Sequence, residues 1–293
     1  MKRAVWVLAM LFLPSSCLVQ VSGWSNGGYT VDLNAVKYGT HDWIAQHALD
    51  WLPGNMTFWI RDNLAMYLYG TELPDNPKPL LGDGIGDTPL HHVYYRASGQ
   101  LQDDASARRA GEACNQVLSY LAAKDLRNAA KWMGVTSHYV CDLAVFGHVM
   151  GANTDWGAEK HHSDYEDWVL QFTDQYSTPA PYLKFDASLS LIAPYDATLK
   201  LAYDTTFDTS GKGRTCKWMD TNYNTNSAAF KARVEQSLNL AVNTICDLIY
   251  TVSTSAGIPE FSHIILVPLI TLAACMVLLR AFARRIGNER EKS

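Results

Sequence analysis

Five residues between positions 138 and 166 of this 293-residue chain carry types and spacings that suit chemistry: His138, Asp142, His148, His162 and Glu166. His138 and Asp142 stand four residues apart, as do His162 and Glu166. On a helix that spacing puts both side chains on one face, one turn apart. An imidazole and a carboxylate so placed can share a metal ion, and this donor set suits Zn²⁺. Two such pairs with a third histidine between them point to more than one metal. Zinc held by His and carboxylate polarises a phosphoryl oxygen and lowers the pKa of bound water from about 15.7 to ~7. Two or three ions ~3.5–4 Å apart can stabilise the attacking and the leaving oxygen together.

A cluster of that kind needs further ligands, and the upstream sequence offers them. His41 opens a helix directly after Thr40. His91 and His92 follow a loop rich in Pro and Gly, and Asp75 lies at the start of that loop. A chain beginning at Trp24 would add an amine and a carbonyl oxygen from one residue. Asp142, one turn after His138, is the natural bridging carboxylate. His47 falls on the apolar side of its helix and reads as a core histidine.

The elements that must position these groups read as helices. Apolar spacing predicts helices over residues 41–52, 57–69, 105–123, 126–144, 160–176 and 228–251. His138 and Asp142 fall on the fourth of these, and His162 and Glu166 on the fifth. Thr40 is the expected N-cap of the first. Residues 74–90 read as loop, because Pro74, Pro77, Pro79, Gly82, Gly84, Gly86 and Pro89 interrupt any regular element. Residues 177–226 read as short helical pieces and loops. The expected architecture is all-α, a single multi-helix domain.

Composition limits the function. Hydrophobic content of 48% with 18% charged residues describes a globular chain. A net charge of −5 gives no basic surface for nucleic acid, so no stable nucleic-acid partner is expected. A nuclease is not excluded on that ground, because a metal cluster brings its own positive charge. The two ends read as address labels. Residues 1–23 show Lys2 and Arg3, an apolar run and Val21-Ser22-Gly23, a signal-peptide pattern with cleavage before Trp24. Residues 261–279 contain no Asp, Glu, Lys or Arg, and Arg280, Arg284 and Arg285 follow. That predicts a transmembrane helix over 259–280 and a basic cytoplasmic tail over 281–293. Residues 24–258 would then be the outer domain of a single-pass type I membrane protein. Cys114, Cys141, Cys216 and Cys246 lie in that domain, where one or two disulfides or buried thiols are expected.

The motifs, in order, resemble the zinc-dependent phospholipase C family, which shares its helical fold with the S1/P1-type nucleases. They are Trp24 after a cleavage site, THDWI at 40–44, YGTELPD at 69–75, HHVYY at 91–95, SHYVCD at 137–142, GHV at 147–149 and HHSDYE at 161–166. The resemblance implies three zinc ions. Trp24 and His41 would hold one, and His92 and His138 a second with Asp75 close by. Asp142 would bridge those two, and His148, His162 and Glu166 would hold the third. Asp75 would orient or deprotonate the attacking water. His92 is preferred to His91 because an aromatic-rich stretch follows it, and His162 to His161 because only His162 is four residues from Glu166. Two departures stand out. No Pro precedes His148 closely, and Asn76 replaces an aromatic residue that cages choline in phosphocholine-cleaving members.

The resemblance implies a membrane-anchored phosphodiesterase that hydrolyses phospholipids at the glycerol–phosphate bond, outside the cytoplasm. A zinc nuclease or nucleotidase is the alternative, with Tyr94, Tyr95 and Trp156 as base platforms. A non-catalytic surface protein that keeps zinc for its structure is the second alternative.

Overall fold

The structure is a computed structural model, and it describes residues 24–258. The expected signal peptide, transmembrane helix and tail lie outside the described residues. Among the described residues, no helix is long and apolar enough to cross a membrane.

Nine α-helices and one two-stranded hairpin make up the described residues. In chain order they are α1 (Thr40–His47), α2 (Gly54–Arg61), α3 (Leu64–Glu72), β1 (Tyr94–Tyr95), β2 (Leu101–Asp103), α4 (Ala105–Ala122), α5 (Leu126–Cys141), α6 (His162–Leu170), α7 (Pro194–Phe207), α8 (Cys216–Thr221) and α9 (Ala228–Ser255). Short 3₁₀ turns cover Thr88–Leu90, Asp142–Ala144 and Phe146–Val149.

Helix α5 is the axis of the domain. From Met133 to Cys141 every residue is buried, so the last turns are enclosed on all sides. They pack against α3, α4, α7 and α9. Polar residues tolerated there must find partners inside the protein, and those partners prove to be the site. The crossing of α3 and α5 is unusually close. A Cβ on Gly70 would meet the Lys131 carbonyl oxygen at 2.0 Å, and one on Gly134 would meet the Tyr67 carbonyl oxygen at 2.0 Å. Only glycine at both positions lets the two backbones touch. That contact carries Thr71 and the following Asp75 toward His138.

Helix α9 closes the core with Val234, Leu238, Ala241, Ile245 and Leu248, the expected apolar stripe, all fully buried. Its other face holds an extended segment by a polar ladder. Asn239, Asn243, Asp247 and Thr251, each four residues apart, accept the backbone N–H groups of Lys184, Asp186, Ser190 and Ile192. This satisfies a stretch of backbone that belongs to no sheet.

Several expected elements differ. The predicted helix over 57–69 is two helices, α2 and α3, broken at Asp62-Asn63. The Asn63 amide donates to the Trp59 carbonyl, and the Asn63 carbonyl accepts from Met66 and Tyr67, so the chain restarts there. Gly39, rather than Thr40, is the N-cap of α1, and its N–H donates to the Asp42 carboxylate. Residues 194–207 form a full 14-residue helix within the region read as mixed. The cysteines are four separate buried thiols, with no disulfide among the described residues.

Candidate metal centre

The centre is assembled around the C-terminal end of α5. His138 sits in its last turn and Asp142 directly follows it, with Nε2 to Oδ2 at 3.1 Å. His41, from the first turn of α1, stacks on His138 with ring centroids 4.0 Å apart, and its Nε2 is 3.2 Å from Asp142 Oδ1. His91 ends the 3₁₀ turn after the Pro/Gly loop. Its Nδ1 lies 3.2 Å from Asp142 Oδ2, 3.2 Å from His138 Nε2 and 3.3 Å from Asp75 Oδ1. His162 and Glu166 occupy one face of α6, 2.8 Å apart, and His148 meets His162 edge-on at 4.7 Å.

Donor atoms therefore converge in three groups: His41, His138 and Asp142; Asp75, His91 and His138; His148, His162 and Glu166. The first two share His138. All these residues are buried, the most exposed being His162 at 7%.

The structure brings seven of the nine residues expected from sequence into these groups, puts His91 in the place of His92, and leaves Trp24 lining the adjoining cavity. His91, rather than the expected His92, enters the centre. His92 turns outward, pairs with Asp103 at 3.3 Å and stacks on Tyr94. The reason is local: the 3₁₀ turn Thr88–Leu90 aims His91 inward, and the next residue must point the other way on entering β1. The second histidine pair falls as expected. His161 stays outside, paired with Asp164 and stacked on Tyr223. His47 also lies apart, held by Asp50 and stacked on Tyr176.

Trp24 is fully buried, and its indole N–H donates to the Cys141 carbonyl. Thr40 N–H donates to the Ser25 carbonyl, which lays residues 24–26 beside the start of α1. Gly27 makes this crossing feasible, with φ of 64° and the Tyr38 carbonyl oxygen 2.0 Å from where a Cβ would be. Asn26 then donates to Asp75 Oδ2 at 3.0 Å. Asp75 Oδ1 is left without a hydrogen-bond partner.

Sequence reasoning did not anticipate the groups behind the ligand candidates. Each of the five inner histidines has its outward ring nitrogen anchored. His138 and His148 donate to the carbonyls of Thr71 and His91, at 2.6 and 2.5 Å. His91 faces Asp87, His162 faces Glu159, and His41 faces the Cys141 thiol at 3.1 Å. These contacts fix which nitrogen carries the proton and leave the other nitrogen directed at the centre. Asp87, four residues before His91, and Glu159, three before His162, had a spacing signal that a search for such partners would have found.

The inward atoms fit a metal. His41 Nε2, Asp75 Oδ1, both carboxylate oxygens of Asp142, His148 Nε2, His162 Nε2 and Glu166 Oε1 are buried without a hydrogen-bond partner. So many converging, unpaired nitrogen and carboxylate donors would be costly in a metal-free design. The electrostatics agree. Burial opposes the charged form of His91, but hydrogen bonds with Asp142 and Asp87 outweigh it and raise its pKa to about 10. Burial likewise opposes charge on His162, yet the Glu166 charge and contacts with Glu159 raise it to about 10. Burial raises Glu166 to about 8. Asp142 goes the other way: burial would raise its pKa, but His138, His148 and His41 around it hold it well below the usual carboxylate range. His41 and His148 differ: burial is the main cause that lowers the pKa of both, His148 well below the usual imidazole value, and so favours their neutral form. Beside the centre opens a cavity of about 200 Å³ lined by Trp24, Asn26, Tyr29, Asp75, Glu166 and Asp167, among others.

The family described as zinc dependent phospholipase C matches residues 40–242. Among solved structures, the chain is similar to the alpha toxin from Clostridium absonum, at 13% identity and a TM-score of 0.52. It is also similar to the Clostridium perfringens alpha-toxin isolated from an avian strain, at 14% identity and a TM-score of 0.50. Each match covers 78% of this chain and 65% of the toxin, so this chain spans about two thirds of either toxin's length. No curated protein sequence matches it.

Proposed function

Because this chain belongs to the zinc-dependent phospholipase C family, we propose that it hydrolyses phospholipids at the glycerol–phosphate bond, using three zinc ions. Trp24 and His41 would hold one ion and His91 and His138 the second with Asp75, while Asp142 bridges the two. His148, His162 and Glu166 would hold the third. What carries this reading is the convergence of unpaired buried donors in three groups beside one cavity. Bound zinc supplies positive charge that polarises the phosphoryl oxygens and offsets charge on the leaving oxygen.

The chain's own residues do the rest. Asn26 fixes one oxygen of Asp75, leaving Oδ1 to accept a proton from the attacking water. The water oxygen bonds to phosphorus, the bond from phosphorus to the glycerol oxygen breaks, and diacylglycerol leaves as that oxygen takes up a proton from solvent, while Asp75 returns its proton to solvent. The phosphorylated head group remains. Burial of the centre keeps bulk water out and strengthens every charge interaction inside it.

A signal peptide over 1–23 would free the Trp24 amine, and a helix over 259–280 would hold the domain at a bilayer, outside the cytoplasm, next to its substrate. Of the three aromatics named for the nuclease alternative, two are not free platforms for a base: Trp156 donates to the Tyr95 carbonyl and packs on Phe207, and Tyr95 is buried. Tyr94 is half-buried, stacks on His92 and lines a cavity with His91 and His148, so that alternative rests on Tyr94 alone. The test is a substrate panel of phosphatidylcholine, other phospholipids, single-stranded DNA and 3′-nucleotides, each with and without chelator. Chelator-sensitive release of diacylglycerol is expected. Cleavage of nucleic acid alone would overturn the assignment.

A further inference from the structure

We propose that Asp87 is a positioning residue that aims His91 at the centre and sets Asp75 from the same short segment. The inference rests on the zinc reading above. His91 presents Nδ1 to Asp75, Asp142 and His138, and its Nε2 faces Asp87 Oδ1 at 3.2 Å. A neutral imidazole carries one proton, so for Nδ1 to serve as a donor to metal, Nε2 must be the N–H, and Asp87 is its acceptor. A carboxylate acceptor both fixes the ring and makes the opposite nitrogen a better ligand.

Asp87 is itself held on several sides. The Tyr139 hydroxyl reaches both of its oxygens, at 2.8 and 3.0 Å. Arg109 Nε donates to Oδ2 at 2.7 Å. The same guanidinium donates to the Tyr139 hydroxyl at 3.1 Å and lies over the Tyr139 ring. Tyr139 neighbours His138 on α5 and Arg109 comes from α4, so two core helices fix the carboxylate that fixes His91.

The backbone of Asp87 has a second task. Its N–H donates to the Pro74 carbonyl at 2.9 Å, while Ile85 and Gly86 donate to Leu73. The loop therefore returns to the residues just before Asp75. The Asp87 carbonyl accepts from Leu90, which closes the 3₁₀ turn leading to His91. The His91 carbonyl in turn receives His148 Nδ1. One residue thus stands behind Asp75 and His91 directly and behind His148 through one further contact.

The experiment uses the zinc-loaded full chain and its Asp87→Asn, Asp87→Ala and Tyr139→Phe variants. Three quantities are read: zinc per chain against a graded chelator, the cobalt(II)-substituted absorption spectrum, and circular dichroism. Asp87→Ala should keep the helical signal and bind all its zinc in excess metal. It should release one ion per chain at a chelator concentration ~10–100-fold lower than the parent requires. Asp87→Asn should fall between the two, because an amide oxygen still accepts from Nε2 but carries no charge. Tyr139→Phe should shift the same ion by less, and all three should alter the cobalt spectrum. If Asp87→Ala does not fold, Asp87→Asn and Tyr139→Phe decide the question alone. Release curves and spectra in the folded variants that superimpose on the parent's would overturn the proposal, even if thermal stability fell. A parent chain that binds no zinc would overturn the metal reading as well, so the two failures are distinguishable.

Discussion

Gly147→Ala should remove one ion while leaving the other two. The added Cβ would stand 2.7 Å from Cγ and Nδ1 of His162 and 2.9 Å from Cδ2. Ordinary contact begins at 3.4 Å, so the methyl intrudes by about 0.7 Å. The atoms it meets are at the root of the ring, not at a flexible tip. His162 cannot swing aside without carrying Nε2 away from Glu166 Oε1, now 2.8 Å off, and from the edge of His148. Metal–ligand distances tolerate only about ±0.2 Å, so a shift of this size is several times the allowance. Overpacking of this kind costs ~1–3 kcal/mol, which lowers the melting temperature of a domain this size by roughly 2–4 °C per kcal/mol. Elemental analysis should therefore find one zinc fewer per chain, with circular dichroism unchanged. Turnover should fall by ~10²-fold or more, since small misplacements near reacting groups cost that much. A Gly147→Ala chain with the parent's zinc content and turnover would refute the placement of His162 as a ligand.

Asp75→Asn should retain zinc close to the parent level and lose ~10²–10⁴-fold in turnover, the range for a positioned general base; steady-state hydrolysis of a soluble phospholipid measures it, and unchanged turnover would contradict the role. Glu72 provides a pH-dependent stability test. Burial raises its pKa from 4.5 to about 7, partly countered by hydrogen bonds from Thr30. Between those values the folded chain holds a proton that the unfolded chain has released, so stability falls as pH rises through that window, by up to ~3 kcal/mol, and is level above it. Glu72→Gln should therefore gain relative to the parent between pH 5 and pH 8 in urea unfolding, and an equal difference at both would count against it. N-terminal sequencing of the mature chain should begin at Trp24; a start at residue 1 would remove the terminal amine from the ligand set.

The pattern of four-residue spacings was readable because helix geometry enforces it. His138 with Asp142 and His162 with Glu166 needed only a helix to meet, and both helices formed. The choice between His91 and His92 was not readable in the same way. Adjacent residues point in opposite directions, and which one turns inward depends on a three-residue 3₁₀ turn whose register no periodicity reports. Helix ends behaved similarly. The break at Asp62-Asn63 comes from Asn63, whose side chain competes for backbone groups, and a continuous apolar pattern across it hides the break. Helix α7 was obscured by Asp and Thr, which favour turns unless tertiary packing overrides them. Its Pro194 at the first helical position was the available signal. The even cysteine count suggested disulfides, but Cys114, Cys141, Cys216 and Cys246 are each enclosed in apolar packing. Cys141 holds the outward nitrogen of His41, so the residue next to a ligand candidate supports a neighbouring one.

The charge of the cavity explains why the chemistry depends on these ligand groups. Asp75, Glu166 and Asp167 line it, and no Lys or Arg does. A phosphodiester anion ~4 Å from one such carboxylate meets a repulsion of roughly 4 kcal/mol at an effective dielectric constant of about 20. Taken alone, the lining would exclude the substrate that the reading requires. The three divalent ions proposed above would reverse that sign. Their six positive charges would exceed the four negative charges of Asp75, Asp142, Glu166 and Asp167, leaving a net attraction for a phosphate that gains charge on the way to the transition state. Two of the three lining carboxylates, Asp75 and Glu166, are themselves candidate ligands, while Asp167 is not. On the proposed reading, selectivity for phosphate esters would come from the excess of metal over carboxylate charge, and Asp75, with one oxygen held by Asn26 and the other unpaired, would act as base within that excess.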